Sequence, residues 1–176
     1  MALTRIGLNQ SINLASNVTG TLPAANGGTG RTAVTGNVLQ VVTNTHATRF
    51  TTSSTSYVAA TGYTVAITPS ATSSKVFLCI SSHTDTQAST RAAYATIYRT
   101  VSGGSATDII GDAEGIGVAY SGGARIYTPI TLSALDSPNT TSEVTYQVYV
   151  KSNVSSNISF NDAEGEAQLT AFEIAG

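Results

Sequence analysis

The sequence predicts an all-β protein, an antiparallel jelly-roll-like β-sandwich over residues 38–176 with an extended N-terminal arm over 1–37. Three observations lead there. Short runs of β-branched and aromatic residues recur at roughly 8–15-residue spacing from Val38 onward. Clusters of Gly, Ser, Asn and Pro separate those runs, and no segment sustains a helical period.

The elements follow in order. The arm is rich in Gly and Asn, and its apolar residues, Leu3, Ile6, Leu8, Ile12, Leu14, Val18 and Leu22, are irregularly spaced. It has too little apolar surface to fold alone, so it is expected to be ordered by what it touches. "VLQVVTNT" (38–45) is the first strand, followed by "YVAA" (57–60) and "YTVAITP" (63–69), closed by Pro69. "KVFLCISS" (75–82) comes after the turn cluster "PSATSS". "RAAYATIYRTV" (91–101) has the alanine content of a helix, but Thr96, Ile97 and the turn "SGGS" favour a strand. In "ARIYTPITL" (124–132), Ile126, Thr128, Ile130 and Leu132 alternate with the opposite face, and Pro129 calls for an edge or a bulge. "EVTYQVYVK" (143–151) is the clearest strand, with Val144, Tyr146, Val148 and Val150 on one face. "NISF" (157–160) and "EAQLTAFEIAG" (166–176) finish the chain, the latter switching face between Ala171 and Phe172 as at a bulge.

Charged residues are only 10% of the 176, and the formal net charge is -2. The average soluble domain has about 25%, so solubility here rests on hydroxyls and amides, and the electrostatic barrier to self-association is low. Eight basic residues scattered between Arg5 and Lys151 make no patch for phosphates, so no nucleic-acid partner is expected. No apolar window suits a signal peptide or a membrane span, which gives the expectation of a chain folded in a reducing compartment without membrane insertion. Cys79, the single cysteine, is expected to be a small buried hydrophobe.

The motifs that might carry chemistry fall short. In "NGGTGRT" (26–32), Ala25 and Arg31 stand where a phosphate-binding loop needs Gly and Lys, and no strand and helix flank it. Gly27, Gly28 and Gly30 instead permit close backbone approach, with Pro23 stiffening the segment. Ser81, Ser82, His83 and Asp85 resemble a triad only in composition, and a triad is defined by geometry. "DAEG" occurs at 112–115 and 162–165, so Asp112, Glu114, Asp162 and Glu164 are the candidate ligands for a hard cation. Neither copy matches an EF-hand loop, and no metal or other cofactor is expected. The eight tyrosines, twice the number of phenylalanines, suit either a sandwich core or a half-buried contact surface.

The stretch "GTLPAANGGTG" (20–30) resembles the recurrent "GTLPVANGGTG" segment of tail fibres and related virion proteins of tailed bacteriophages. "INLASNVTG" before it looks like the usual lead-in, and "SYVAATGYTVAITPSATSSKVFLCISS" (56–82) is similar to a β-sandwich module of fibre-like phage proteins. The resemblance implies a non-enzymatic virion protein, a homotrimer assembled in the host cytoplasm. Its arm, including Ile6, Leu8, Ile12, Leu14, Leu22, Pro23, Gly27, Gly28 and Gly30, would attach it to other virion proteins. A tail-fibre-like role would add binding to a host-surface glycan. The alternatives are a capsid decoration, cement or head-fibre protein, and a carbohydrate-binding lectin-like module. A small depolymerase acting through the four carboxylates has no sequence feature that demands it.

Overall fold

The computed structural model describes residues 35–161 and 165–176, and the compact unit is Thr35–Gly176. The arm residues singled out above, and Asp162 and Glu164, lie outside the described residues. Among the described residues, eleven strands form two antiparallel sheets. In the first, β8 (Tyr127–Asp136) pairs with β4 (Lys75–Asp85). The other side of β4 carries β11 (Ala167–Ile174) and β10 (Ile158–Phe160) in line; β1 (Val38–His46) lies beyond β11 and β2 (Phe50–Thr52) beyond β10. The second sheet runs from β3 (Val58–Ile67) through β9 (Val144–Ser152) to β5 (Arg91–Val101), then β7 (Gly117–Ser121) and β6 (Thr107–Asp108) in line.

Taking β1 with β2, β6 with β7 and β10 with β11 as interrupted single strands, each sheet is four strands wide. The chain changes sheet at every connection except those joining β5, β6 and β7. That is the eight-stranded jelly roll.

Alternation fills the space between the sheets. Leu78 and Ile80 of β4, Leu132 of β8 and Leu169 of β11 meet Val65 of β3, Ile97 of β5, and Tyr146 and Val148 of β9 in one buried cluster. Each such aliphatic side chain contributes about 1.5–3 kcal/mol by leaving water. Pro129 lies on β8, which among the described residues pairs only with β4, so its missing N–H leaves no ladder bond broken.

Three local expectations change. "YVAA" and "YTVAITP" are one strand, β3, whose pairing with β9 shifts between Ala59 and Thr64. Gly62 sits in that interruption at φ 89°, and a Cβ there would meet the His46 ring at 2.2 Å. β11 carries no bulge; its register with β4 is unbroken from Gln168 to Ile174. The apparent face switch has a different cause, because Glu173 points into the protein and Phe172 out of it. The bulge lies in the neighbour, β1, between Val38 and Gln40. Cys79 is only half-buried, since it occupies an outward position of β4 between core residues Leu78 and Ile80.

Candidate functional site

The outward positions of β5 and β9 build the most chemically diverse surface of the second sheet. Tyr94 and Tyr98 of β5, and Tyr149 and Lys151 of β9, each stand an even number of residues apart and so share the outer face. The register sets Tyr94 opposite Lys151 and Thr96 opposite Tyr149. Tyr98 and Tyr149 stack with centroids 3.9 Å apart. The Lys151 ammonium lies 4.6 Å from the Tyr57 ring centroid and 5.2 Å from that of Tyr94, within cation–π range. It also donates to the Ala113 carbonyl at 2.5 Å.

That carbonyl belongs to the first acidic turn, which folds over the tyrosines. Asp112 Oδ1 accepts from the Glu114 N–H at 2.8 Å, and the Gly115 N–H donates to the Asp112 carbonyl at 3.1 Å. Ile116 N–H then donates to the Ala95 carbonyl, laying the turn on β5. Gly115 takes φ 72°, and a Cβ there would lie 2.3 Å from the Ala95 oxygen and 2.7 Å from the Tyr57 hydroxyl. Only glycine permits this approach. The Tyr57 hydroxyl is buried without a hydrogen-bond partner; burial, and then the negative charges of Asp108 and Asp112, push its pKa up. Between turn and sheet is an open cleft of about 300 Å³ lined by Thr55, Tyr94, Ala113, Glu114, Lys151 and Asn153.

The structure places the other candidates elsewhere. Asp85 is buried and grips Arg125, with Nε to Oδ1 at 2.8 Å and Nη2 to Oδ2 at 2.5 Å, and it also accepts the Gln87 N–H. Its carboxylate therefore orients a guanidinium and a turn, and Ser82 stands on the opposite face of β4 from Ser81, His83 and Asp85. Asp112 is occupied in capping its own turn, and no group of three or more His, Cys, Asp or Glu capable of holding a metal exists among the described residues. The tyrosines divide three ways: Tyr63 and Tyr146 are core, Tyr120 and Tyr127 are exposed, and Tyr57, Tyr94, Tyr98 and Tyr149 cluster on this side of the second sheet, Tyr94 lining the cleft, Tyr57 against Lys151, and Tyr98 stacked on Tyr149. The cleft itself was not foreseen. Its only sequence signal is outward Tyr at 94 and 98 and Lys at 151, and the register that joins them is not written locally.

Chemically the cleft offers the Tyr94 ring, an ammonium, a carboxylate, an amide and the hydroxyls of Thr55 and Ser152. Groups of these kinds can donate and accept hydrogen bonds with the hydroxyls of a polyhydroxylated molecule.

No family model matches the chain, and no curated protein does. Among solved structures, it is similar to the infectious bursal disease virus VP2 subviral particle, at 15% identity and TM-score 0.41 over 77% of this chain and 37% of that one. A structure of the Gx strain of the same virus gives 13% identity and TM-score 0.43 over 78% of this chain and 37% of that one. The chain thus spans less than two fifths of the length of these structures. Likeness at this level says nothing of what the chain does.

Proposed function

We propose that the chain is a non-enzymatic virion structural protein of a tailed bacteriophage, a homotrimer attached through residues 1–37, with a tail-fibre-like role in binding a host-surface glycan. The observation that carries the binding role is the cleft of Tyr94, Lys151, Glu114 and Asn153 over a rigid sheet. The virion assignment is supported by the resemblance of "GTLPAANGGTG" to phage fibre arms. A jelly roll suits both parts of the reading, since the same architecture serves viral particles and lectins.

The test is binding of the full chain to an array of bacterial surface polysaccharides. Saccharide binding that falls at least about tenfold in Lys151→Ala, a loss of about 1.4 kcal/mol, supports the reading. Absence of any saccharide binding, together with tight binding to assembled phage heads, would replace it with the capsid-decoration role.

A further inference from the structure

We propose that Tyr120 and Val118 of β7 extend the cleft into a second subsite, so that the ligand is a glycan of at least two linked sugars, one held in the cleft and the next stacked on the Tyr120 ring. The inference rests on the glycan-binding reading above and names the size of ligand and the residue that selects it.

In β7 the small residues face inward and the large ones out. Gly117, Ala119 and Ser121 are buried, whereas Val118 is 50% exposed and Tyr120 61%. Packing explains the inward set: a Cβ on Gly117 would meet the Leu132 side chain at 2.3 Å and that of Ile130 at 2.6 Å. Register then sets the outward pair beside the cleft. Tyr94 of β5 pairs with Lys151 on one side and with Val118 on the other. Ala92 pairs with Tyr120, and on its other side it exchanges bonds with Asn153, whose N–H donates to the Ala92 carbonyl at 3.1 Å and whose Oδ1 accepts the Ala92 N–H at 2.7 Å. Directly opposed residues of an antiparallel ladder point to the same face. Two rows therefore cross this face of the sheet, Lys151, Tyr94 and Val118 in one, Asn153, Ala92 and Tyr120 in the other.

The cleft takes its lining from both rows and stops short of β7. Thr55, ahead of β3, lines it beyond Lys151, and Ala113 and Glu114 of the acidic turn line it past Tyr94. No lining residue comes from β7, so the surface continues from Tyr94 and Ala92 onto Val118 and Tyr120. The turn after Tyr120 leaves its ring uncovered: a Cβ on Gly122 would lie 3.7 Å from the ring, and one on Gly123 would meet nothing. Spacing sets the size of the ligand. Lys151 and Tyr120 stand two strand spacings apart across the sheet and two residues apart along it, about 12 Å between backbones. One sugar ring is too short to span that distance, and two linked rings are not. The Tyr120 ring offers an apolar face to the C–H side of the outer sugar, and its hydroxyl and the Asn153 amide offer hydrogen bonds.

The experiment takes the array polysaccharide that the full chain binds most tightly and cuts it by partial acid hydrolysis into mono-, di- and trisaccharides. These are titrated calorimetrically into the wild type, Tyr120→Ala and Tyr120→Phe. Wild-type affinity should rise at least about tenfold from monosaccharide to disaccharide. Tyr120→Ala should weaken disaccharide binding about three- to tenfold with monosaccharide binding unchanged, and Tyr120→Phe, which keeps the ring, should retain most of the rise. Tyr120 is exposed, so both variants should keep the wild-type thermal unfolding midpoint, which separates lost binding from lost folding. Equal affinity for all three lengths, a rise that survives in Tyr120→Ala, or an equal loss for mono- and disaccharide overturns the second subsite and leaves the glycan reading standing. Binding to no polysaccharide on the array overturns both.

Discussion

At the scale of single residues, the polar groups inside the sandwich account for more than their number suggests. Glu173 is 1% exposed, yet every bond it needs is present. The Ser70 N–H donates at 2.7 Å, the Ser70 hydroxyl at 2.6 Å, the Ser74 hydroxyl at 2.7 Å and the Gln40 amide at 2.7 Å. Burial alone would push the carboxyl up; these donors outweigh it and hold the pKa at about 2, against 4.5 unperturbed. Because the folded value is the lower one, the stabilisation is complete above pH 4.5 and is lost as pH falls toward 2. It amounts to on the order of 3 kcal/mol. Glu173→Gln should lose that amount at neutral pH, and its acid-unfolding curve should lack the wild type's decline between those pH values. Urea titrations across that range check it, and equal slopes for both proteins would refute it. Tyr146 is a second case: its hydroxyl donates to Asp136 at 2.8 Å, and Arg99 bonds the same carboxylate at 2.8 Å. Burial, then the bond to Asp136 and its charge, push the tyrosine up. Tyr146→Phe should cost about 2 kcal/mol, read as a lower urea midpoint with an unchanged slope.

At the scale of elements, legibility followed alternation. β9 could be read because Val144, Tyr146, Val148 and Val150 are all apolar and all buried. β11 was misread at one place because a carboxylate occupies a core position, and periodicity has no means of telling a satisfied inward Glu from an outward one. β3 looked like two strands because Gly62 interrupts its ladder. β2 and β6, of three and two residues, are too short to show a period, and β7 inverts it, with small Gly117, Ala119 and Ser121 inward and Val118 and Tyr120 outward. The cleft was illegible for a further reason: Tyr57, Tyr94, Glu114 and Lys151 come from segments joined only by tertiary register. One element-scale prediction concerns the turn over that cleft. Gly115→Ala would force a Cβ against the Ala95 carbonyl at a backbone angle that disfavours it. It should destabilise by about 1–3 kcal/mol and weaken saccharide binding with it, checked by thermal unfolding and the polysaccharide array together.

At the scale of the whole molecule, the two outer faces of the sandwich differ in character, one apolar and uncharged in its central rows, the other aromatic and polar around a cleft. Self-association of the proposed homotrimer should hardly respond to salt, because only 10% of the residues are charged and little is there to be screened. Sedimentation at about 0.05 and 1 M salt should give the same mass; dissociation at the higher concentration would point to an ionic contact instead. The strand order also has a consequence for how the protein comes into being. β1, the first strand, has only β11, the last, as its ladder partner among the described residues, with Val38 opposite Ile174. The first sheet is therefore missing an interior strand until β11 is available. Such non-local closure makes folding slow, on the order of milliseconds to seconds or longer. During synthesis β1 must therefore wait unpaired until β11 has been made, and the first sheet cannot close before then.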